Sequence, residues 1–151
     1  MRFRSLAFAP LAALALVSCA QEAELYVDQS WVVLAAVPGN PAAAYFTIHG
    51  GPAANALISV SVEPAIKSEI HESASKGGMM TMTPLDSVPV PALGTVAFQP
   101  GGKHVMIFEL RSTVKPGGTL RLQLNFSGGD KLLVDAPVYA AGQAPEGHDG
   151  H

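Results

Sequence analysis

Thr119-Leu120-Arg121-Leu122-Gln123-Leu124-Asn125-Phe126 is the stretch that decides the fold class. Leu120, Leu122, Leu124 and Phe126 share one side of an extended chain, while Arg121, Gln123 and Asn125 share the other. Successive side chains of a strand point to opposite faces, so this run reads as a strand with one dry face. The same texture extends in both directions, with strands expected over 25–34, 43–49, 56–62, 66–72, 79–84, 95–99, 104–110, 119–126 and 131–138. Turn signals stand between them at Pro38-Gly39-Asn40-Pro41, Gly50-Gly51-Pro52, Pro100-Gly101-Gly102, Pro116-Gly117-Gly118 and Gly128-Gly129-Asp130. No long stretch beyond the N-terminal segment keeps a 3.6-residue apolar period free of Pro and Gly. The Ala-rich pieces at 34–36 and 53–56 offer a helical turn at most. Many short strands with Gly/Pro turns predict a single all-β domain, a β-sandwich or small Greek-key barrel.

The two ends carry a different message. Arg2 and Arg4 precede an apolar run from Leu6 to Val17, broken by Pro10. About a dozen apolar residues are too few for a membrane span, which needs roughly 20, and suit a secretory signal peptide. The run closes on Leu16-Val17-Ser18-Cys19, which looks like a bacterial lipobox, with Cys19 as the lipid-modified first residue. Cleavage after Ser18-Cys19-Ala20 is the competing reading. Cys19 is the sole cysteine, so no disulfide can form within one chain. The expected layout is a lipoprotein-type signal peptide over 1–18, a lipidated leader over 19–24 and a β-domain over 25–139. A flexible tail over 140–151 carries His148 and His151. Export to the periplasm, with a lipid holding the chain to a membrane, follows from that layout.

Composition removes other classes. With 48% hydrophobic and 14% charged residues the body can bury a core. A formal net charge of -3 and the lack of any basic block argue against nucleic acid, whose binding needs clustered Lys and Arg. No Gly-x-Ser-x-Gly elbow and no carboxylate pair beside a His suggest hydrolysis, so a non-enzymatic role is expected.

The methionines are the chemical anomaly. Beyond Met1 they are Met79, Met80, Met82 and Met106, clustered where gap-filling core residues would be scattered. In a strand Met80 and Met82 point one way and Met79 the other. His104 and Met106 share a face, leaving Val105 and Ile107 for the core. His71 ends an apparent strand and can reach the same solvated rim. Thioether sulfur with imidazole favours Cu(I) over Zn, Mg or Ca, and the lack of a body thiolate excludes a blue-copper site. Met79 and Met80 read first as rim residues, with Met80 a secondary metal candidate. Trp31 and Tyr45 read as core aromatics, and Glu72 as a solvated neighbour of His71. In the tail, His148 and His151 beside Glu146 and Asp149 are secondary candidates suited to Cu(II).

His71, ten residues, Met82, twenty-one residues, His104, one residue, Met106 reproduces the H-x10-M-x21-H-x-M signature. In this the chain resembles the PCu(A)C-type periplasmic copper chaperones. Ala43-Ala44-Tyr45-Phe46-Thr47-Ile48 and Pro100-Gly101-Gly102-Lys103-His104-Val105-Met106 extend the resemblance across about Leu25 to Val138. It implies a cupredoxin-like β-barrel, Cu(I) held by His71, Met82, His104 and Met106, and delivery of copper to cytochrome c oxidase assembly. The acceptor would then be an oxidase subunit or another assembly chaperone. A periplasmic copper buffer or resistance protein without a dedicated acceptor is the second reading. His49-Gly50-Gly51, where the family usually has an Asn-containing turn, departs from the pattern outside the signature.

Overall fold

A computed structural model of the chain describes residues 23–147; the 1–18 segment, Cys19, His148 and His151 lie outside the described residues. Ten strands run in order: β1 Tyr26–Val33, β2 Ala42–His49, β3 Asn55–Glu63, β4 Lys67–Lys76, β5 Met79–Leu85, β6 Val88–Val90, β7 Thr95–Phe98, β8 Lys103–Phe108, β9 Thr119–Phe126 and β10 Lys131–Tyr139. No helix occurs among the described residues. The strands follow one another in space as β5-β4-β8-β7-β2-β1-β10-β9-β3-β6, with β8 also paired to β2. This run closes over its own core. Strands β5, β4, β8, β7, β2 and β1 form one layer and β9, β3 and β6 the other. Between them β10 pairs with β9 along most of its length, then joins β1 in parallel at Val32↔Val138. The result is the all-β, cupredoxin-like sandwich expected from the alternation.

The core follows the period-2 pattern. Leu120, Leu122, Leu124 and Phe126 are buried from β9, and Ala42, Ala44, Phe46 and Ile48 from β2. Val105, Ile107 and Ile70 meet them from the site's own strands, β8 and β4. Burying each Leu, Ile or Phe in full contributes about 1.5–3 kcal/mol, so these alternating residues hold the layers together.

Three local features depart from the simple alternation, each for a physical reason. β6 was not expected, because Pro89 sits in its middle and three residues give little pattern. Proline lacks the N–H of a central strand but is tolerated at an edge, and β6 is the edge strand beside β3. β4 runs to Lys76 rather than ending near His71, because β5 turns back on it through Gly77-Gly78. Both glycines have positive φ, 60° and 79°, as a tight two-residue hairpin turn requires. Finally, β1 carries a bulge between Asp28 and Trp31, with Gln29 at φ 51°. The extra residue lets Val27 and Val32, an odd number apart, both face the core, and it turns Trp31 to the outer side beside Tyr45.

Candidate metal centre

Register brings the signature residues to one face. His71 on β4 stands directly opposite His104 on β8, and Glu69 stands opposite Met106. Opposed residues of an antiparallel pair share a face, so His71, Glu69, His104 and Met106 lie on the same side. On the other flank of β4, Ser73 is opposite Met82 and Ser75 opposite Met80. Since Ser73 and Ser75 alternate with His71 on that face, Met82 and Met80 belong to it too. Met79 leaves the ribbon on the other side, as the alternation predicted, and Val105, Ile107 and Ile70 face the core. His71, Met82, His104 and Met106 thus converge across three adjacent strands on the outer face of one layer.

The imidazoles are less solvated than a rim position suggests. His104 is 6% exposed and the His71 side chain 12%, with ring centroids 6.0 Å apart. This corrects the expectation of a fully solvated rim, and the reason is the surroundings. Tyr45 packs 6.4 Å from the His104 ring, and Trp31 packs 4.6 Å from Tyr45 with Tyr139 edge-on behind it. Trp31 is buried as expected of a core aromatic, yet with the half-buried Tyr45 it stands on the outer side of the layer, apart from the main core cluster, where the two screen the site. For Trp31 the sequence does not show the β1 bulge that reverses its parity; for Tyr45 the alternation of β2 already points it away from Ala44 and Phe46. Burial raises the Tyr45 phenol above its ordinary range.

Hydrogen bonding fixes which ring nitrogen carries a proton. Nδ1 of His104 lies 3.0 Å from the Gly102 carbonyl oxygen, which can only accept, so Nδ1–H donates and Nε2 keeps its lone pair. In His71 the roles are reversed. Its Nε2 lies 3.0 Å from Oε2 of Glu69, so Nε2–H donates to the carboxylate. In the neutral ring, the form that can bind a metal, that leaves the lone pair on Nδ1, which is buried and has no hydrogen-bond partner. A buried lone pair without a donor is an unmet demand, and a soft cation is one way to meet it. A carboxylate on the far nitrogen of an imidazole is also the usual support of a metal-binding histidine.

Glu69 is the residue that sequence reading missed, although its same-face spacing two before His71 could have found it. Its carboxyl is held below the usual range by the hydrogen bond from Lys67 first and from His71 second. Glu72, by contrast, pairs with Lys103 at 2.8 Å and takes no part on this face. Among the described residues no group of three or more His, Cys, Asp or Glu could hold a metal. The face offers two imidazoles and thioethers instead, a neutral and soft donor set.

Two imidazoles and alternating thioethers on the outer face of a cupredoxin-like sandwich define a PCu(A)C-type domain. Solved structures share this fold: a copper-bound PCuAC domain from PmoF2 matches with a TM-score of 0.64, at 19% identity, over 79% of this chain and 95% of that one. The solution structure of CuI-DR1885 from Deinococcus radiodurans matches with a TM-score of 0.60, at 30% identity, over 81% and 83%. Residues 25–138 match the family described as "Putative lipoprotein LpqE-like". A Leifsonia xyli subsp. xyli (strain CTCB07) protein, "Putative lipoprotein Lxx21020", is 30% identical over 125 residues, 82% of this chain and 75% of its own. The chain belongs to the LpqE-like family.

Proposed function

We propose that this protein is an exported copper carrier that holds one Cu(I) through His71, Met82, His104 and Met106 and passes it to an acceptor protein. The observation that carries the reading is the pair of imidazoles whose hydrogen bonds leave His71 Nδ1 and His104 Nε2 as lone-pair donors, beside Met82 and Met106 on the same face. Four neutral ligands leave a bound Cu(I) with a net charge of +1, and Glu69 behind His71 offsets it. Thioethers favour Cu(I) over Cu(II), which suits reversible carriage of the reduced ion. The copper-bound and CuI forms of the two solved relatives support the cargo. X-ray absorption on the copper-loaded protein tests it: a mixed sulfur and nitrogen shell is expected, and a shell of nitrogen and oxygen alone in the reduced state would sink it.

Delivery to cytochrome c oxidase assembly is the finer part of this proposal, supported by the PCu(A)C resemblance. Its measurement is transfer of Cu(I) from the loaded protein to an apo oxidase subunit; retention of copper against that acceptor favours a buffering role. The lipoprotein descriptions of the family and of the Leifsonia relative support anchoring through Cys19. Cys19→Ala is expected to release the protein from the membrane fraction, and unchanged fractionation would rule the lipid out.

A further inference from the structure

Strands β4 and β5 continue past the rest of their layer. The β4–β8 ladder ends at Glu72↔Lys103, while the β4–β5 ladder runs on from Ser73↔Met82 to Lys76↔Met79. A two-stranded ribbon therefore projects from the sheet beside the imidazoles, with β5 as its free edge. Natural edge strands are usually guarded by charge, proline or a covering element. This one reads Met-Met-Thr-Met-Thr-Pro-Leu, with Pro84 near its inner end as the sole such guard and no charge. Met80 is 65% exposed and Met82 54%. Their cross-strand partners are Ser75 and Ser73, too small to cover them. Large apolar side chains on a bare edge contribute nothing to the core, so packing does not explain them.

We propose that Met80 is a transfer ligand: a thioether that receives Cu(I) from the Met82 side of the site and presents it at the free edge of the ribbon. This rests on the reading that His71, Met82, His104 and Met106 hold the ion. Met80 lies two residues, or about 7 Å of strand, outward from Met82 on the same face. Two flexible thioether side chains can span that step. The exchange is a substitution at the metal. A Cu–S bond to Met80 forms as a bond to one inner ligand breaks, every ligand is neutral, and the ion stays Cu(I) with its charge of +1. No electron or proton moves. An acceptor then meets the copper on an exposed ribbon instead of reaching beneath the aromatic screen of Trp31 and Tyr45. Met79 is a built-in control, since it is equally bare at 72% exposure but points to the other side.

The test separates rate from affinity. Wild type, Met79→Leu, Met80→Leu and Met82→Leu are loaded with Cu(I), and its withdrawal by the chelator bicinchoninate is followed both at equilibrium and by stopped flow. Met80→Leu is expected to slow withdrawal about tenfold while lowering affinity far less than Met82→Leu does. Met79→Leu is expected to leave both near wild type. An unchanged withdrawal rate in Met80→Leu overturns the proposal. So does an affinity loss as large as that of Met82→Leu, which would make Met80 a resident ligand. If Met82→Leu itself keeps full affinity, the failure belongs to the site reading and is recognised as such. Thermal unfolding of the apo variants confirms that each compares a folded protein.

Discussion

His71 and His104 stand where β4 and β8 are flanked on both sides by other strands, whereas Met80 and Met82 stand on a ribbon supported along one edge only. The imidazoles are nearly buried, hydrogen-bonded and held in defined tautomers. The thioethers of Met80 and Met82 are more than half exposed and have only serines opposite them, whereas Met106 stands on β8 with the imidazoles. One half of the site is preorganised within the sheet and the other is supported along one edge only. A carrier needs both properties: rigid donors give selectivity and affinity, while mobile soft donors let a ligand be exchanged without unfolding anything. The structure divides them between a sheet and its overhang.

That division can be broken or sharpened by substitution, and the largest effect is expected on the rigid side. His104→Ala removes a ligand and a buried, hydrogen-bonded ring together. Its Cu(I) affinity is expected to fall by more than about 100-fold, beyond the range for losing an outer partner. The apo protein is expected to lose about 1–3 kcal/mol, because the Gly102 carbonyl loses a partner and the site a ring. Chelator competition and thermal unfolding measure the two, and a variant that unfolds like wild type would mean the ring does not bear on the fold. Met82→Leu and Met106→Leu come next. Each is expected to lose at least about tenfold in affinity, or roughly 1.4 kcal/mol. Their stability should stay within about 1.5 kcal/mol of wild type, since volume is kept. Equal damage to the fold in Met82→Leu and in His104→Ala would erase the distinction between the two halves, while Met106→Leu probes a thioether on the supported strand β8.

Glu69→Ala touches no metal directly. It is expected to weaken Cu(I) binding by about 10- to 100-fold by freeing the His71 tautomer. A Glu69→Gln variant, which can still accept from Nε2–H, should recover part of that loss; no recovery would point to charge in place of orientation. The smallest effect is expected far from the site, at the Arg121–Asp135 pair on the exposed face of β9 and β10. The hydrogen bond from Arg121 lowers the Asp135 carboxyl below its ordinary 3.8. Its contribution is therefore present above 3.8 and fades as pH falls through the lower folded value. Asp135→Asn should differ slightly from wild type at neutral pH and converge with it in strong acid, as followed by thermal unfolding across pH. Copper affinity should not change.

Most of the fold was legible because β9 and β2 obey a strict alternation that burial then honours, as β8 does apart from the buried His104. The face shared by His71, Met82, His104 and Met106 was legible for the same reason, since period 2 carries across an antiparallel ladder. What sequence could not give was anything that depends on parity or on partners. The bulge at Gln29 inverted the parity of Trp31, whereas Tyr45 follows the plain alternation of β2 and was legible as outward-facing. The short β6 hid behind Pro89, and the ribbon beyond His71 has no apolar residue on β4 larger than Ala74 to announce it. Glu69 was passed over for Glu72, the immediate neighbour, because adjacency in sequence is easier to see than adjacency on a face.

The Gly102 carbonyl accepts two hydrogen bonds, one from Nδ1–H of His104 and one from the backbone amide of Ser73, each at 3.0 Å. Ser73 is where the overhanging ribbon leaves the sheet. A single oxygen atom thus ties the base of the overhanging ribbon to a ring of the sheet. Amide exchange at Ser73 becomes a local gauge of whether that link is closed. Copper seated on His104 should slow that exchange while leaving the amides near the Gly77-Gly78 tip as fast as before, which turns one backbone proton into a signal of occupancy.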